Sequence, residues 1–164
     1  MQSTMQTDGF GKRLLMRELQ EINKSSVCDY IVSTADNLYH WLVTIPGPVG
    51  TPYESALLNM EMTFAPDFPN SPPTVVFTTA MFHPNIYTDG RVCMSTLHVR
   101  TKFNEHESDD ELWRPIISCH SLIMSIISLL TDPNTDSPAN IEASLLLKTD
   151  PAAYKKLIRR LLQG

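Results

Sequence analysis

The chain has 164 residues, 42% hydrophobic and 19% charged, with a net charge of −5; that is enough to bury one core, and the single domain expected spans residues 1–164. The negative balance argues against a nucleic-acid groove. The N-terminal MQSTMQTDGF lacks an apolar signal core, the most apolar run (residues 121–130, SLIMSIISLL) is too short to span a bilayer, and the three cysteines, Cys28, Cys93 and Cys119, read as reduced thiols of a cytoplasmic or nuclear protein.

The first element expected is a helix from about Gly9 to Ile22, capped by Asp8, with Leu15, Leu19 and Ile22 on one stripe and Lys12, Arg13 and Arg17 on other faces. Strand patterns follow. In residues 38–45, Tyr39, Trp41, Val43 and Ile45 share one side. In residues 57–64, Leu58, Met60, Met62 and Phe64 oppose Asn59, Glu61 and Thr63. Residues 74–77 form a short apolar strand. Turn residues join these strands, which suggests an antiparallel meander. Residues 82–112 show no periodicity, and so long a structureless segment inside a compact domain points to function or disorder. A long helix is expected to start at Pro115, carry a stripe of Ile116, Ile123, Ile127 and Leu130, and stop at Asp132-Pro133. Ser137-Pro138 and Asp150-Pro151 each read as N-cap and first residue of a further helix, the last one burying Tyr154, Leu157, Ile158 and Leu161. The fold class is α+β: helix, antiparallel meander, irregular catalytic segment, three helices.

The chemistry concentrates in residues 82–95, FHPNIYTDGRVCMS, where a His83-Pro84-Asn85 turn precedes the lone Cys93 by eight residues. A thiol can carry an acyl group, and a nearby amide can stabilise the oxyanion as that group moves on. His98 and His106 lie close in sequence, but no His/Asp pair built to activate the thiol is legible. Downstream runs an acidic stretch with Glu105, Glu107, Asp109, Asp110 and Glu111. Such a run is usually a solvated loop, though its position beside Cys93 gives it a possible role. Cys28 and Cys119 have no motif around them and read as structural.

Several motifs stand in order along the chain: Pro69-Asn70-Ser71-Pro72-Pro73, then His83-Pro84-Asn85 with Cys93, then Trp113-Arg114-Pro115, then Leu129 to Asn134 followed by Asp136 to Asn140. Together they resemble the ubiquitin-conjugating (E2) family over residues 10–161. Twenty positions separate Cys93 from Trp113, more than in most of that family, so residues 99–112 are similar to the acidic insertion of one E2 subgroup. The resemblance implies a four-stranded meander and a cis bond at Phe68-Pro69. It implies that Cys93 takes ubiquitin from an activating enzyme as a thioester and passes it to a lysine, with a RING-type ligase, onto a substrate protein or into chains of the proteasome-targeting linkage. Asn85 would support the oxyanion or the loop, with His83 and Pro84 shaping the turn. Ser137 would stand at the gate where many relatives have aspartate. Ile117, Ser121, Met124 and Ser125 would dock the donor ubiquitin. Lys12, Arg13, Met16, Asn70 and Pro115 would meet the activating enzyme and the ligase. Neither cofactor nor metal is implied, ATP being used by the upstream enzyme, and a monomer is expected. The alternatives are conjugation of another ubiquitin-like modifier, or a non-catalytic binding module, which would usually lack Cys93. A cysteine hydrolase would need a His and an orienting partner converging on the thiol.

Overall fold

Strict alternation in residues 57–63 places Leu58, Met60 and Met62 on the buried face of the central sheet, with Asn59 and Thr63 on the open face. The computed structural model describes residues 7–25 and 29–164. Helix α1 (Thr7–Lys24) leads to strands β1 (Ile31–Thr34), β2 (His40–Pro46), β3 (Leu57–Thr63) and β4 (Thr74–Phe77), then to helices α2 (Cys119–Thr131), α3 (Ile141–Thr149) and α4 (Pro151–Gln163). The strands pair antiparallel in sequence order, Trp41 opposite Met62 and Met60 opposite Phe77. The expected meander is therefore present. Its first strand has no legible pattern, because only Val32 of its four residues is buried.

One continuous core joins Leu15 and Ile22 of α1, the inner face of the sheet, Leu122, Ile123 and Ile126 of α2, and Tyr154 and Ile158 of α4. Each such side chain contributes roughly 1.5–3 kcal/mol through burial. An aromatic series runs from Trp41 through Phe64 and Phe68 to Trp113, with ring centroids 5.0, 4.8 and 6.1 Å apart. Trp113 also donates its indole N–H to the Pro69 carbonyl, 2.9 Å away. The far end of the acidic insertion is thereby anchored to the turn before β4, and the Phe68-Pro69 bond in that turn is cis as expected.

Four expectations about helix ends and faces are corrected. Thr7 and Asp8 are already helical in α1, so Asp8 is not the residue ahead of the helix; the side chain of Asp8 and all of Cys28 lie outside the described residues. α2 starts at Cys119, not Pro115, because the Ser118 hydroxyl oxygen accepts the Ser121 N–H as N-cap, while Ile116 sits in a preceding turn, 82% exposed. α3 is capped by Asn140, not Ser137, through the Ala143 N–H at 3.0 Å. Asp150 caps α4 as expected, but its buried face is Tyr154 and Ile158, with Leu162 packed against the core and Leu157 and Leu161 exposed.

Candidate active site

The segment carrying Cys93 hangs on the free edge of β4. Phe77 N–H donates to Gly90 O (2.8 Å) and Val92 N–H to Val75 O (3.0 Å). Gly90 permits this approach. Its φ is +95°, and a Cβ there would lie 2.2 Å from the Phe77 carbonyl oxygen. The Tyr87–Arg91 turn then aims Cys93 into a cleft of about 460 Å³ that Asn85, His98, Glu107 and Ser137 also line. Cys93 itself is half-buried.

The His83-Pro84-Asn85 turn is buried and tied to its surroundings by several hydrogen bonds. Cys93 N–H donates to Asn85 O at 2.8 Å. The Asn85 side chain clasps Asn134: its Nδ2 donates to the Asn134 carbonyl (2.7 Å) and its Oδ1 accepts the Asn134 N–H (2.8 Å). Pro84 O accepts from the N–H groups of Ala139 and Asn140. His83 accepts the Asn85 N–H on Nδ1 (2.9 Å), which leaves Nε2–H to donate to Leu129 O (2.8 Å). Burial lowers the His83 pKa from 6.5 to about 4, so this imidazole stays neutral. His83 and Pro84 thus bond within the turn and to Leu129, Ala139 and Asn140. One N–H of the Asn85 amide is committed to the loop, and an amide carries two.

The opposite wall comes from Ser95, His98 and the insertion that follows them. Cys93 Sγ lies 3.9 Å from His98 Nε2. His98 Nδ1 faces both Glu107 oxygens at 3.2 and 3.3 Å, and the Ser95 hydroxyl donates to Glu107 Oε1 at 2.8 Å. Burial alone would raise the Glu107 carboxyl, but hydrogen bonds from Ser95 and His98 outweigh it and hold the pKa below its usual value. The side chain of Glu107 is 11% exposed, whereas that of Asp109 is 93% exposed; Glu105, Asp110 and Glu111 also face solvent. Arg100 ties the insertion together, donating to the carbonyls of Asn104 and Glu107 and to Asp109. Of the five acids, only Glu107 is half-buried and contacts His98; the other four are exposed, Glu111 among them on the rim of the cleft. The His–carboxylate pair beside the thiol was not legible in the sequence, since nothing in the spacing shows that residues nine apart in an aperiodic loop meet.

Tyr87 flanks the thiol on another side. Cys93, by charge and hydrogen bonding, is the main cause of its raised pKa. The Arg91 guanidinium lies 4.6 Å from the Tyr87 ring centroid. The sequence reading passed over this tyrosine. Ser137 is exposed on the lip of the cleft.

The remaining candidates form two surfaces. Ser121, Met124 and Ser125 lie on α2, with Ser121 exposed and Met124 and Ser125 half-buried; Ile117 precedes the helix and, like Met124, packs partly against the core. Lys12, Arg13, Met16, Asn70 and Pro115 are all exposed. They gather because α1 meets the Phe68 carbonyl at Gly11, where a Cβ would stand 2.3 Å from that oxygen, and because Trp113 bonds Pro69. Cys119 is buried, and Glu18 of α1 accepts both its N–H (3.1 Å) and its S–H (2.9 Å), with burial raising the thiol pKa. No group of His, Cys, Asp or Glu among the described residues could hold a metal ion, and none of the described helices is long and apolar enough to cross a membrane.

Comparison with known proteins adds the family. The family model described as "Ubiquitin-conjugating enzyme" matches residues 14–162. The chain is 42% identical over 150 residues to "Ubiquitin-conjugating enzyme E2 7" of Arabidopsis thaliana, covering 90% of each chain. It is 45% identical over 124 residues to the wheat (Triticum aestivum) protein of the same name, covering 76% of this chain and 74% of that one. It is 36% identical over 156 residues to "Ubiquitin-conjugating enzyme E2 15" of Schizosaccharomyces pombe, covering 93% of each.

Proposed function

The chain belongs to the ubiquitin-conjugating enzyme family, and from that premise we propose that Cys93 is the residue that accepts ubiquitin as a thioester and releases it to a lysine amine. The observation that carries this reading is the placement of Cys93, half-buried in a cleft with its N–H fixed by Asn85 O. The other two cysteines do not compete: Cys119 is buried against Glu18, and Cys28 has no surrounding motif.

Asn85 has two jobs in this reading. One amide N–H holds the Asn134 loop, and the second is left for the oxyanion that forms when the amine attacks. His83 and Pro84 keep the turn in shape. Ser137 positions the incoming lysine by hydrogen bonding, since a serine is a poor base. Ubiquitin folded back against Ser121, Met124, Ser125 and Ile117 would hold the thioester in a reactive geometry. The activating enzyme and a RING-type ligase would dock on Lys12, Arg13, Met16, Asn70 and Pro115. Asn70 lacks the aromatic anchor that favours tight interfaces, which suggests a ligase with a polar contact there. The acidic insertion draws the acceptor lysine of a second ubiquitin toward Cys93, favouring chain building in the manner of the loop-bearing subgroup and its proteasome-targeting linkage. No cofactor is needed, and the protein works as a monomer in the cytoplasm or nucleus.

The test is incubation with ubiquitin, an activating enzyme and ATP. Wild type, Cys28→Ser and Cys119→Ser should each give a DTT-sensitive species heavier by one ubiquitin, and Cys93→Ser a DTT-resistant ester. A thioester surviving in Cys93→Ala would overturn the assignment.

A further inference from the structure

We propose that His98, oriented by Glu107 of the acidic insertion, takes the proton from the lysine ammonium that attacks the Cys93 thioester and passes it to the departing sulfur. The proposal rests on Cys93 as the thioester carrier. It assigns a catalytic role to His98 and a positioning role to Glu107.

The geometry points one way. A carboxylate accepts and does not donate, so the His98 nitrogen facing Glu107, Nδ1, carries the hydrogen. In the neutral ring the lone pair then sits on Nε2, 3.9 Å from Sγ. An amine that attacks the carbonyl carbon bonded to Sγ from the cleft His98 lines comes within reach of that nitrogen. The ring is held from several sides. Glu107 is fixed by the Ser95 hydroxyl and, through its backbone, by Arg100. The His98 backbone donates to Ser95 O and accepts the Trp113 N–H at 3.0 Å. The charged and titratable groups that share its two flanking clefts are Cys93, Tyr87, Arg91, His106, Glu107 and Glu111. Among them only Glu107 contacts Nδ1. Ser137, on the lip of the same cleft, offers no base.

The protons balance without another reagent. The ammonium gives up two. The first goes to His98 Nε2, and the freed amine forms the N–C bond while the C–S bond breaks with its electron pair on sulfur. His98 then protonates that thiolate and returns to neutral, and the second proton leaves the new amide nitrogen for water.

The experiment uses the full chain preloaded with ubiquitin and compares two nucleophiles at neutral pH: free lysine, whose amine is charged, and hydroxylamine, which is not. Loading comes first; its failure in wild type, or its survival in Cys93→Ala, would remove the thioester reading itself. His98→Gln should load, discharge to lysine about 10²-fold more slowly than wild type, and discharge to hydroxylamine at the wild-type rate. Its lysine deficit should close as pH rises and the amine loses its charge. Glu107→Ala should show the same pattern to a smaller degree. The double variant should be no slower than His98→Gln, because the two act as one unit. Equal slowing with both nucleophiles would mean that His98 only shapes the site, and lysine discharge at the wild-type rate would mean that it does nothing; either result overturns the proposal, as does a double variant markedly slower than His98→Gln.

Discussion

The His83–Asn85 turn and the insertion at residues 99–112 both reach Cys93, but they are held in opposite ways. The turn is buried, and its groups bond to the backbone of four distant positions, with Leu129 O accepting, Ala139 and Asn140 N–H donating, and Asn134 doing both. The insertion is mostly exposed and is held chiefly by bonds within itself, by Glu107 against Ser95 and His98, and by Trp113 at its end. A buried, neutral network is insensitive to salt and costly to break. A surface network of charges is cheap to alter and screened by ions. The same thiol is thus served by one wall that fixes its geometry and another whose influence varies with solution conditions.

The largest effect that separates the two walls is expected from Asn85→Ala. It should load ubiquitin nearly as well as wild type, because the activating enzyme drives that step, yet discharge ~10²–10³-fold more slowly through loss of an oxyanion donor. Discharge to free lysine at the wild-type rate would refute the role. The deficit should not change with salt.

The next concerns acid. The folded pKa of His83, about 4, lies below its ordinary 6.5, so between those values the unfolded chain binds a proton that the folded chain does not. His83 therefore supports the fold fully above pH ~6.5, and that support fades as pH falls toward 4, by about 3 kcal/mol in all. Urea unfolding of wild type and His83→Ala at pH 7 and pH 4 should show the variant less stable at pH 7 but with a smaller loss on acidification. Equal losses in both would show that the turn is not the acid-sensitive element.

The smallest effect belongs to the four exposed acids. Neutralising Glu105, Asp109, Asp110 and Glu111 while keeping Glu107 should slow chain formation by up to about 10-fold at low salt and leave loading intact. Adding Glu107 to the set should deepen the defect, since it alone faces His98.

The sequence carries the buried wall better than the exposed one. Strands β2 and β3 are legible because one face is core and the other solvent, and the Asp150-Pro151 start of α4 because a cap and a proline coincide. β1 is not, having a single buried residue. Pro115 and Ser137 mislead as helix starts because Ser118 and Asn140, a few residues on, cap better. The turn at Asn85 and the thiol at Cys93 are recognisable by motif. The pairing of His98 with Glu107 joins two polar residues across an aperiodic loop, and no periodicity marks which of five acids contacts His98.

The division of labour between the two walls is tested most directly by single-turnover discharge of preloaded enzyme onto ubiquitin at low and high salt. Wild type, Asn85→Ala and the variant with all five acids neutralised would be compared. The account predicts that the Asn85→Ala deficit stays constant, while the five-acid deficit narrows with salt to the part owed to Glu107, as wild type loses its electrostatic advantage. A neutralised insertion that discharges as fast as wild type at low salt would contradict it and leave the acidic stretch a solvated loop.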